Sequence, residues 1–367
     1  MLAGSALRFH QLQASQQHTC GVAGDGEVYC WGVNRYFELG SPTAPDLCDI
    51  PALELVGCTH RPQRVAAAPA LVRLVTSGGL YGRTCGLSAD GSAYCWGFGQ
   101  GGQLGNGGRA DSAVPVPVAG ALRFATLRSA FALASCGATA GDDVWCWGVN
   151  DRGLWGNGED SGQSSIPQRV DWGRRFVDFD LGADHGCGVD EAGQAWCWGA
   201  NWYGNLGIGA AGGDGGPFSV NTPRAVLGGH RFKTVSTGLN HSCALTDAGA
   251  AWCWGAASVA TAVGGIGYVG TPQPVPGNHV FAELRSGALH ACALKADGTA
   301  WCWGENYLGE LGDGTTAPST VPVQVQTGAR FARLSHRPTC ALTADGQAWC
   351  WGDNSYGQVG LRSIYAR

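Results

Sequence analysis

The sequence predicts an all-β fold: a single seven-bladed β-propeller of four-stranded blades. Cys-Trp-Gly occurs seven times, a second cysteine lies ten residues before each copy, and short β-prone runs fill the intervals. The copies begin at positions 30, 95, 146, 197, 253, 302 and 350, so the period is about 50 residues. Four short strands per period, repeated four to eight times, are typical of a propeller.

Each cysteine pair brackets a predicted β-hairpin. Asp-Gly dipeptides lie near the middle of four of these intervals, as at 297–298, and Asp-Gly between β-prone runs is a strong hairpin signal. Cysteines equidistant from such a turn face each other with Cα atoms about 4.5 to 5.5 Å apart, which a disulfide can span. We therefore predict one disulfide per blade and an additional pair with the same spacing: Cys20–Cys30, Cys85–Cys95, Cys136–Cys146, Cys187–Cys197, Cys243–Cys253, Cys292–Cys302 and Cys340–Cys350, with Cys48–Cys58 as the additional pair.

The same cysteines are a weak candidate for metal binding. Zinc sites gather four ligands, usually from cysteines two to four residues apart, whereas one pair per blade supplies two. We predict no metal site. Sixteen cysteines in pairs indicate a secreted or cell-surface protein of an oxidising compartment. Residues 1–6 lack the basic segment and long apolar core of a signal peptide, so we expect the export signal to lie outside this numbering.

We expect one domain over residues 1–367, because propellers often exceed ordinary domain length. Residues 1–6 are expected to complete the last blade, with 361–365 as the alternative. An insertion at 41–60 carries Cys48 and Cys58 and is predicted to be a disulfide-tied loop. The seven repeats fall at approximately 7–65, 72–118, 122–170, 174–226, 230–275, 279–325 and 329–367.

Composition excludes several classes of function. Charged residues make up 14% of the chain and the net charge is -5, and no cluster of Lys and Arg appears, so a nucleic-acid partner is not expected. No run of 18 apolar residues occurs, so no membrane span is predicted. We expect a monomer.

Three segments resemble a known repeat: Gly287-Ala288-Leu289-His290, Trp303-Gly304-Glu305-Asn306 and Gly309-Glu310-Leu311-Gly312. They are similar to the RCC1 repeat (regulator of chromosome condensation), which reads Gly-x-x-His, a turn, Trp-Gly-x-Asn and Gly-x-Leu-Gly. The resemblance covers all seven units and implies a seven-bladed propeller. A disulfide in every blade departs from the intracellular members and favours a secreted, bacterial-type member, distantly like the secreted β-lactamase inhibitor of that family.

The loops after each Trp-Gly vary most and are rich in aromatic residues. Trp and Tyr are enriched in interface hot spots and also stack on sugars, so these loops are candidate binding surfaces. The alternative is that the aromatics pack between adjacent loops. The 41–60 insertion is a second candidate, because long loops in compact folds are often functional. The predicted binding residues are Tyr36, Phe37, Trp155, Trp202, Tyr203, Tyr307 and Tyr356 on the loops, with Leu53 and Leu55 in the insertion.

Histidine lies two residues before the first cysteine of four units, at His18, His185, His241 and His290. A ring of imidazoles would suit a metal or acid–base site. Arg83, Ala134 and Pro338 interrupt the ring, so we interpret these histidines as structural hydrogen-bonding groups.

No catalytic motif is found: the sequence contains no Gly-x-Ser-x-Gly, no His-Glu-x-x-His and no phosphate-binding loop. No cofactor is predicted. The sequence therefore favours a binding scaffold that engages a protein partner, as an enzyme inhibitor or adhesin. A carbohydrate-binding or carbohydrate-processing propeller that uses the same aromatic loops to contact a surface glycan is the alternative.

Overall fold

The computed structural model describes residues 7–24, 26–48, 55–79, 81–131, 134–212, 214–260, 267–335, 337 and 340–360. These residues form seven antiparallel β-sheets that follow one another along the chain. The one helix in the described residues is the short α1 (Ala257–Ala260). No helix among them is long and apolar enough to cross a membrane.

The first three sheets occupy residues 9–170. The first contains β1 (Phe9–Ala14), β2 (His18–Ala23), β3 (Val28–Val33), β4 (Asp46–Cys48) and β5 (Val56–Arg64). The second contains β6 (Leu71–Ser77), β7 (Arg83–Ser88), β8 (Ala93–Gly97) and β9 (Ser112–Pro117). The third contains β10 (Phe124–Ser129), β11 (Ala134–Thr139), β12 (Val144–Asp151) and β13 (Ser161–Val170).

The remaining four sheets occupy residues 178–350. The fourth contains β14 (Asp178–Leu181), β15 (His185–Val189), β16 (Ala195–Ala200) and β17 (Ser219–Ala225). The fifth contains β18 (Thr234–Thr237), β19 (His241–Leu245), β20 (Ala251–Ala256) and β21 (Tyr268–Pro274). The sixth contains β22 (Glu283–Ser286), β23 (His290–Leu294), β24 (Ala300–Gly304) and β25 (Ser319–Gln324). The seventh contains β26 (Phe331–Leu334), β27 (Cys340–Thr343) and β28 (Ala348–Cys350).

The prediction of an all-β, seven-bladed propeller is confirmed, with two local departures from four strands. The first blade has a fifth strand because the insertion is a hairpin rather than a loop: β4 pairs with β5, in the order β1-β2-β3-β5-β4. The seventh sheet has three strands among the described residues. Residues 1–6 and 361–365, the two candidates for completing it, lie outside the described residues.

The Cys-Trp-Gly strand forms the centre of each blade. Its half-cystine lies directly opposite the first cysteine, as Cys187 does opposite Cys197, and all eight predicted disulfides are present. The blade pairs have Cα atoms 4.0–4.1 Å apart, closer than the approximately 4.5 to 5.5 Å expected for residues that face each other across antiparallel strands. All seven tryptophans are buried, and the following glycine has a left-handed backbone, with φ +107° at Gly32 and +92° at Gly199, which only glycine adopts without strain.

Backbone packing divides the chain into two compact units. Unit 1 comprises Met1–Val149, Gln163–Arg169 and Ser335–Arg367, and unit 2 comprises Asn150–Gly162 and Val170–Leu334. The sheets that run from β1 to β9 lie wholly in unit 1, and those that run from β14 to β25 lie wholly in unit 2. The loops that carry the candidate binding residues are described below within each unit.

Candidate functional site

The asparagine of Trp-Gly-x-Asn holds the loop that follows it in one conformation. In the fourth blade, Asn201 Oδ1 accepts the backbone N–H of Leu206 at 3.2 Å, and its Nδ2 donates to the Ala210 carbonyl at 3.0 Å. Asn306 binds the N–H of Leu311 in the same way at 2.9 Å. The backbone of these loop tips is therefore already ordered, which lowers the entropic cost of binding a partner.

Each loop is also fastened to the following blade. The Trp254 indole and the Ser242 hydroxyl both donate to the carbonyl oxygen of Asn205, at 2.9 Å each. In unit 1 the Trp96 indole donates to the Glu38 carbonyl at 3.0 Å. Four tryptophans of the repeat thus have a second role besides packing, since their N–H groups anchor the neighbouring loop: Trp96, Trp147, Trp198 and Trp254. The indole N–H groups of Trp31 and Trp303 have no such partner among the described residues.

In unit 2 the loop tips expose aromatic side chains. Trp202 is 45% exposed, Tyr203 is 44% exposed and Tyr307 is 69% exposed. The Trp202 ring contacts the ring of Phe218, with centroids 4.9 Å apart, and the Arg152 guanidinium lies 5.7 Å from the Trp202 centroid. Large exposed aromatic groups on a fixed backbone are suited to burial against a partner.

Charged groups surround the exposed tryptophan. Arg152 Nη1 lies 3.2 Å from carboxylate oxygens of both Asp151 and Asp184. Partial burial raises the pKa of Asp184, although Arg152 acts in the opposite direction. The region therefore combines an apolar face with polar groups at its edge.

In unit 1 the corresponding aromatic residue packs against its neighbours. The Tyr36 ring contacts Phe98 with centroids 5.0 Å apart, and Phe98 contacts Tyr81 at 4.7 Å. Phe98 is buried and Tyr36 is half-buried. These three residues, which we call the unit 1 aromatic cluster, fit the alternative that loop aromatics pack between loops.

The other predicted binding residues have different environments. Trp155 is only 4% exposed, so it is a core residue and is not available as a surface contact. It occupies the leucine position of Gly-x-Leu-Gly, a signal that the sequence already carried. Phe37 and Tyr356 are half-buried, Leu55 is 62% exposed, and Leu53 lies outside the described residues.

Two of the four repeated histidines hydrogen-bond to the following blade. His18 Nε2 lies 2.9 Å from Thr84 Oγ1, and His185 Nε2 lies 3.0 Å from Ser242 Oγ. Neither ring nitrogen of His241 forms a hydrogen bond among the described residues. The position equivalent to Thr84 and Ser242 in the following blade is Ala291, which has no hydroxyl group. Burial lowers the pKa of His18 and His241 to about 3 and that of His185 to about 4, so all three are neutral near pH 7.

Three residues of the unit 2 surface and one buried residue of the first-blade loop were not among the predicted binding residues. Phe218 lies in a glycine-rich insertion of the fourth unit, and its aromatic ring among glycines was the available signal. Arg152 and Asp184 come from separate segments, and only the fold places them together. Glu38 is the fully buried acid of the first-blade loop, where the loops of the second, fourth and seventh blades carry the amides Gln103, Asn205 and Gln358.

The fold and its repeated Trp-Gly-x-Asn loops define a seven-bladed β-propeller built from one recurring unit. The chain belongs to the RCC1-repeat family (regulator of chromosome condensation). Two profiles of that repeat together match well over half of the chain, at residues 9–38, 232–258, 282–310 and 323–358 and at 90–140, 142–189 and 297–335.

Curated relatives include two larger proteins. The chain is 29% identical to the human E3 ubiquitin-protein ligase HERC2 over 246 residues, which are 65% of this chain and 5% of HERC2. It is 32% identical to the Ultraviolet-B receptor UVR8 of Arabidopsis thaliana over 165 residues, which are 44% of this chain and 36% of UVR8. The chain thus spans well under two thirds of these relatives.

Solved structures share the fold at low identity. Human WBSCR16 has a TM-score of 0.76 at 17% identity, over 90% of this chain and 85% of that one. Prp20p of Saccharomyces cerevisiae, described with its binding to Gsp1p and histones, has a TM-score of 0.71 at 18% identity, over 86% and 76%. The ectodomain of the receptor kinase CR4 of Physcomitrella patens has a TM-score of 0.55 at 18% identity, over 94% and 74%.

Proposed function

We propose that this protein is an exported binding scaffold that engages a protein partner through the loop tips of unit 2, as an enzyme inhibitor or an adhesin. The observation that carries the proposal is the exposure of Trp202, Tyr203 and Tyr307 on loops whose backbones are fixed by asparagine clamps. Rigid aromatic anchors bind with a low entropy cost because few rotamers are lost.

The cysteine pattern supports an oxidising compartment. All sixteen cysteines are in disulfides, and structural disulfides are rare in reducing compartments outside hyperthermophiles. Similar structures supply precedents for both parts of the proposal: Prp20p is described as binding Gsp1p and histones, and the CR4 structure is that of a receptor-kinase ectodomain.

The experiment compares capture of surface proteins of the source organism by immobilised wild type and by a Trp202→Ala, Tyr203→Ala, Tyr307→Ala variant. The control is Val177→Ala, Val280→Ala, which removes two apolar side chains that are exposed in unit 2 but lie outside these loops. We expect the control to retain the partner and the triple variant to lose at least tenfold in affinity, since hot-spot truncations cost about 2 kcal/mol or more.

Equal capture by all three proteins would exclude the loop tips as the binding surface. Thiol titration of the natively purified protein tests the compartment separately, because an exported protein should show essentially no free thiol. A largely reduced protein would contradict export without bearing on the loop surface.

One arrangement favours a glycan as the second candidate partner. Trp202 and Phe218 form an exposed apolar face, and Arg152, Asp151 and Asp184 place charged hydrogen-bonding groups at its edge. Sugars use such combinations, because one face stacks on an aromatic ring while hydroxyls bond to polar groups. A glycan array probed with wild type and Trp202→Ala distinguishes the two partners: a tryptophan-dependent signal supports a glycan, and its absence leaves the protein partner.

A further inference from the structure

The insertion hairpin of the first blade brings four potential metal ligands onto one face. Asp46 lies opposite Cys58 where β4 pairs with β5. Residues two apart on a strand point to the same face, so Asp46 and Cys48 on β4 share a face with Cys58 and His60 on β5. The spacing reads Asp-x-Cys on one strand and Cys-x-His on the other.

The side-chain atoms are close together on this face. The two sulfur atoms and a ring nitrogen of His60 all lie within 4.8 Å of one another. His60 Nδ1 lies 4.0 Å from Asp46 Oδ2. This is the one group of three or more His, Cys, Asp or Glu side chains at such distances in the part of the chain that the structure describes.

The Cys48–Cys58 pair differs from the disulfides of the blades. Its Cα atoms are 5.8 Å apart, whereas those of the seven blade pairs are 4.0–4.1 Å apart. Two thiolates on a tetrahedral zinc ion, with Zn–S bonds of about 2.3 Å, have sulfur atoms about 3.7 Å apart. The wider Cα spacing of Cys48 and Cys58 accommodates this sulfur–sulfur separation with little movement of the strands. The shorter Cα spacing of the blade pairs does not.

We propose that Cys48, Cys58 and His60 form a zinc site when their disulfide is reduced. The Asp46 carboxylate beside Nδ1 orients the imidazole, so Nε2 is the ligand atom, in the manner of the carboxylate–histidine–zinc arrangement. Three protein ligands leave the fourth position for water or for a group from a partner. The inference does not rest on the loop surface proposed above, and it concerns the protein under reducing conditions rather than the oxidised form expected after export.

Conversion of the Cys48–Cys58 disulfide into the metal-binding form requires a dithiol reductant. The dithiol transfers two electrons and two protons to the Cys48–Cys58 bond, giving two thiols and the oxidised, cyclic disulfide of the reductant. Zinc binding then displaces the two thiol protons, because the ligands are thiolates.

The hairpin lies at the edge of its sheet, although Cys48 and Cys58 themselves are buried. β4 has three residues and pairs with β5 alone, and its residues Asp46 and Leu47 are exposed. Six of the seven blade pairs join two strands that each have a neighbouring strand on both sides. Opening an edge hairpin costs less than opening the interior of a sheet.

The test treats the full oxidised chain with one equivalent of a soluble phosphine or dithiol reductant, maps the free thiols by alkylation, and then titrates Co²⁺ and Zn²⁺. We expect alkylation first at Cys48 and Cys58, and one Co²⁺ per chain with a sulfur-to-cobalt charge-transfer band that Zn²⁺ abolishes. Bound Zn²⁺ should also protect both thiols from alkylation.

Three variants make the result specific. Cys48→Ser, Cys58→Ser should remove the band, and His60→Ala should weaken metal binding at least tenfold. His10→Ala, which removes an exposed histidine of the same sheet, should leave binding unchanged. Reduction of a blade pair before this one, an opened hairpin that binds no Co²⁺, or equal binding by His60→Ala and wild type would each overturn the proposal.

Discussion

The loops after β3 and β16 have the same framework but present their side chains differently. In both, an asparagine (Asn34 or Asn201) accepts a backbone N–H and a carbonyl bonds to the next blade. After β3, Tyr36 turns onto Phe98 and Tyr81. After β16, Trp202 and Tyr203 remain exposed. The repeat therefore fixes the path of the loop, while contacts from outside the repeat decide whether an aromatic residue stabilises the fold or is available to a partner.

The largest expected effect is in the unit 1 aromatic cluster. Phe98→Ala should lower the free energy of unfolding by about 3–5 kcal/mol, because it empties a buried site between two rings. Chemical denaturation with disulfides intact measures the change, and Phe98→Leu is the conservative control. Partner capture per folded molecule should be unchanged, and a loss of capture at full folding would contradict the division between the two loops.

In unit 2 we expect a loss of partner binding without a loss of stability. Trp202→Ala should weaken partner binding at least tenfold, about 2 kcal/mol or more, while the melting temperature stays close to that of wild type. Titration of the immobilised protein with the partner measures the affinity, and scanning calorimetry measures the melting temperature. A large loss of stability with retained binding would place Trp202 in the same structural class as Phe98.

The two loops should also differ in their response to pH. Burial raises the pKa of Glu38 from its ordinary value of 4.5 to about 8, whereas the fourth blade carries Asn205 at this position. Between these two pH values Glu38 is protonated in the folded protein and ionised in the unfolded chain. Its contribution to the free energy of unfolding is therefore fully present below pH 4.5 and is lost as the pH rises through about 8.

Glu38→Gln should remove this dependence. We expect the variant to match wild type at pH 4.5 and to be more stable by about 1–2 kcal/mol at pH 8, since a buried ionised group is no longer required. Urea unfolding across this pH range measures the slope. Glutamine fits the position, because Gln103 and Gln358 occupy it in other blades. Parallel pH profiles for the variant and wild type would contradict the assignment of the pH dependence to Glu38.

The smallest expected effect concerns the cation beside the exposed ring. Arg152→Ala should weaken partner binding by about 0.5–1 kcal/mol, because cation–π contacts at exposed sites are worth that much. Arg152→Lys is the charge-preserving control. An effect as large as that of Trp202→Ala would show that the charged edge, rather than the aromatic face, dominates recognition.

Much of the fold was predictable from spacing alone. Cysteines ten apart around a turn must face each other, and a 50-residue period of short strands predicts blades, so the disulfides and the seven sheets followed. The environment of each loop aromatic was not predictable. Tyr36 meets Tyr81 and Phe98, and Trp202 meets Phe218, through pairings between segments that no local pattern encodes. Trp155 was the exception, since its place in the Gly-x-Leu-Gly motif indicated burial.

The indole anchors have a consequence for how this surface can change. Trp198 and Trp254 donate to the main-chain oxygens of Leu154 and Asn205, and every amino acid supplies such an oxygen. Residues at the tips can therefore be exchanged without loosening the support beneath them. Recognition can diversify position by position on an unaltered scaffold, much as it does on the hypervariable loops of an antibody.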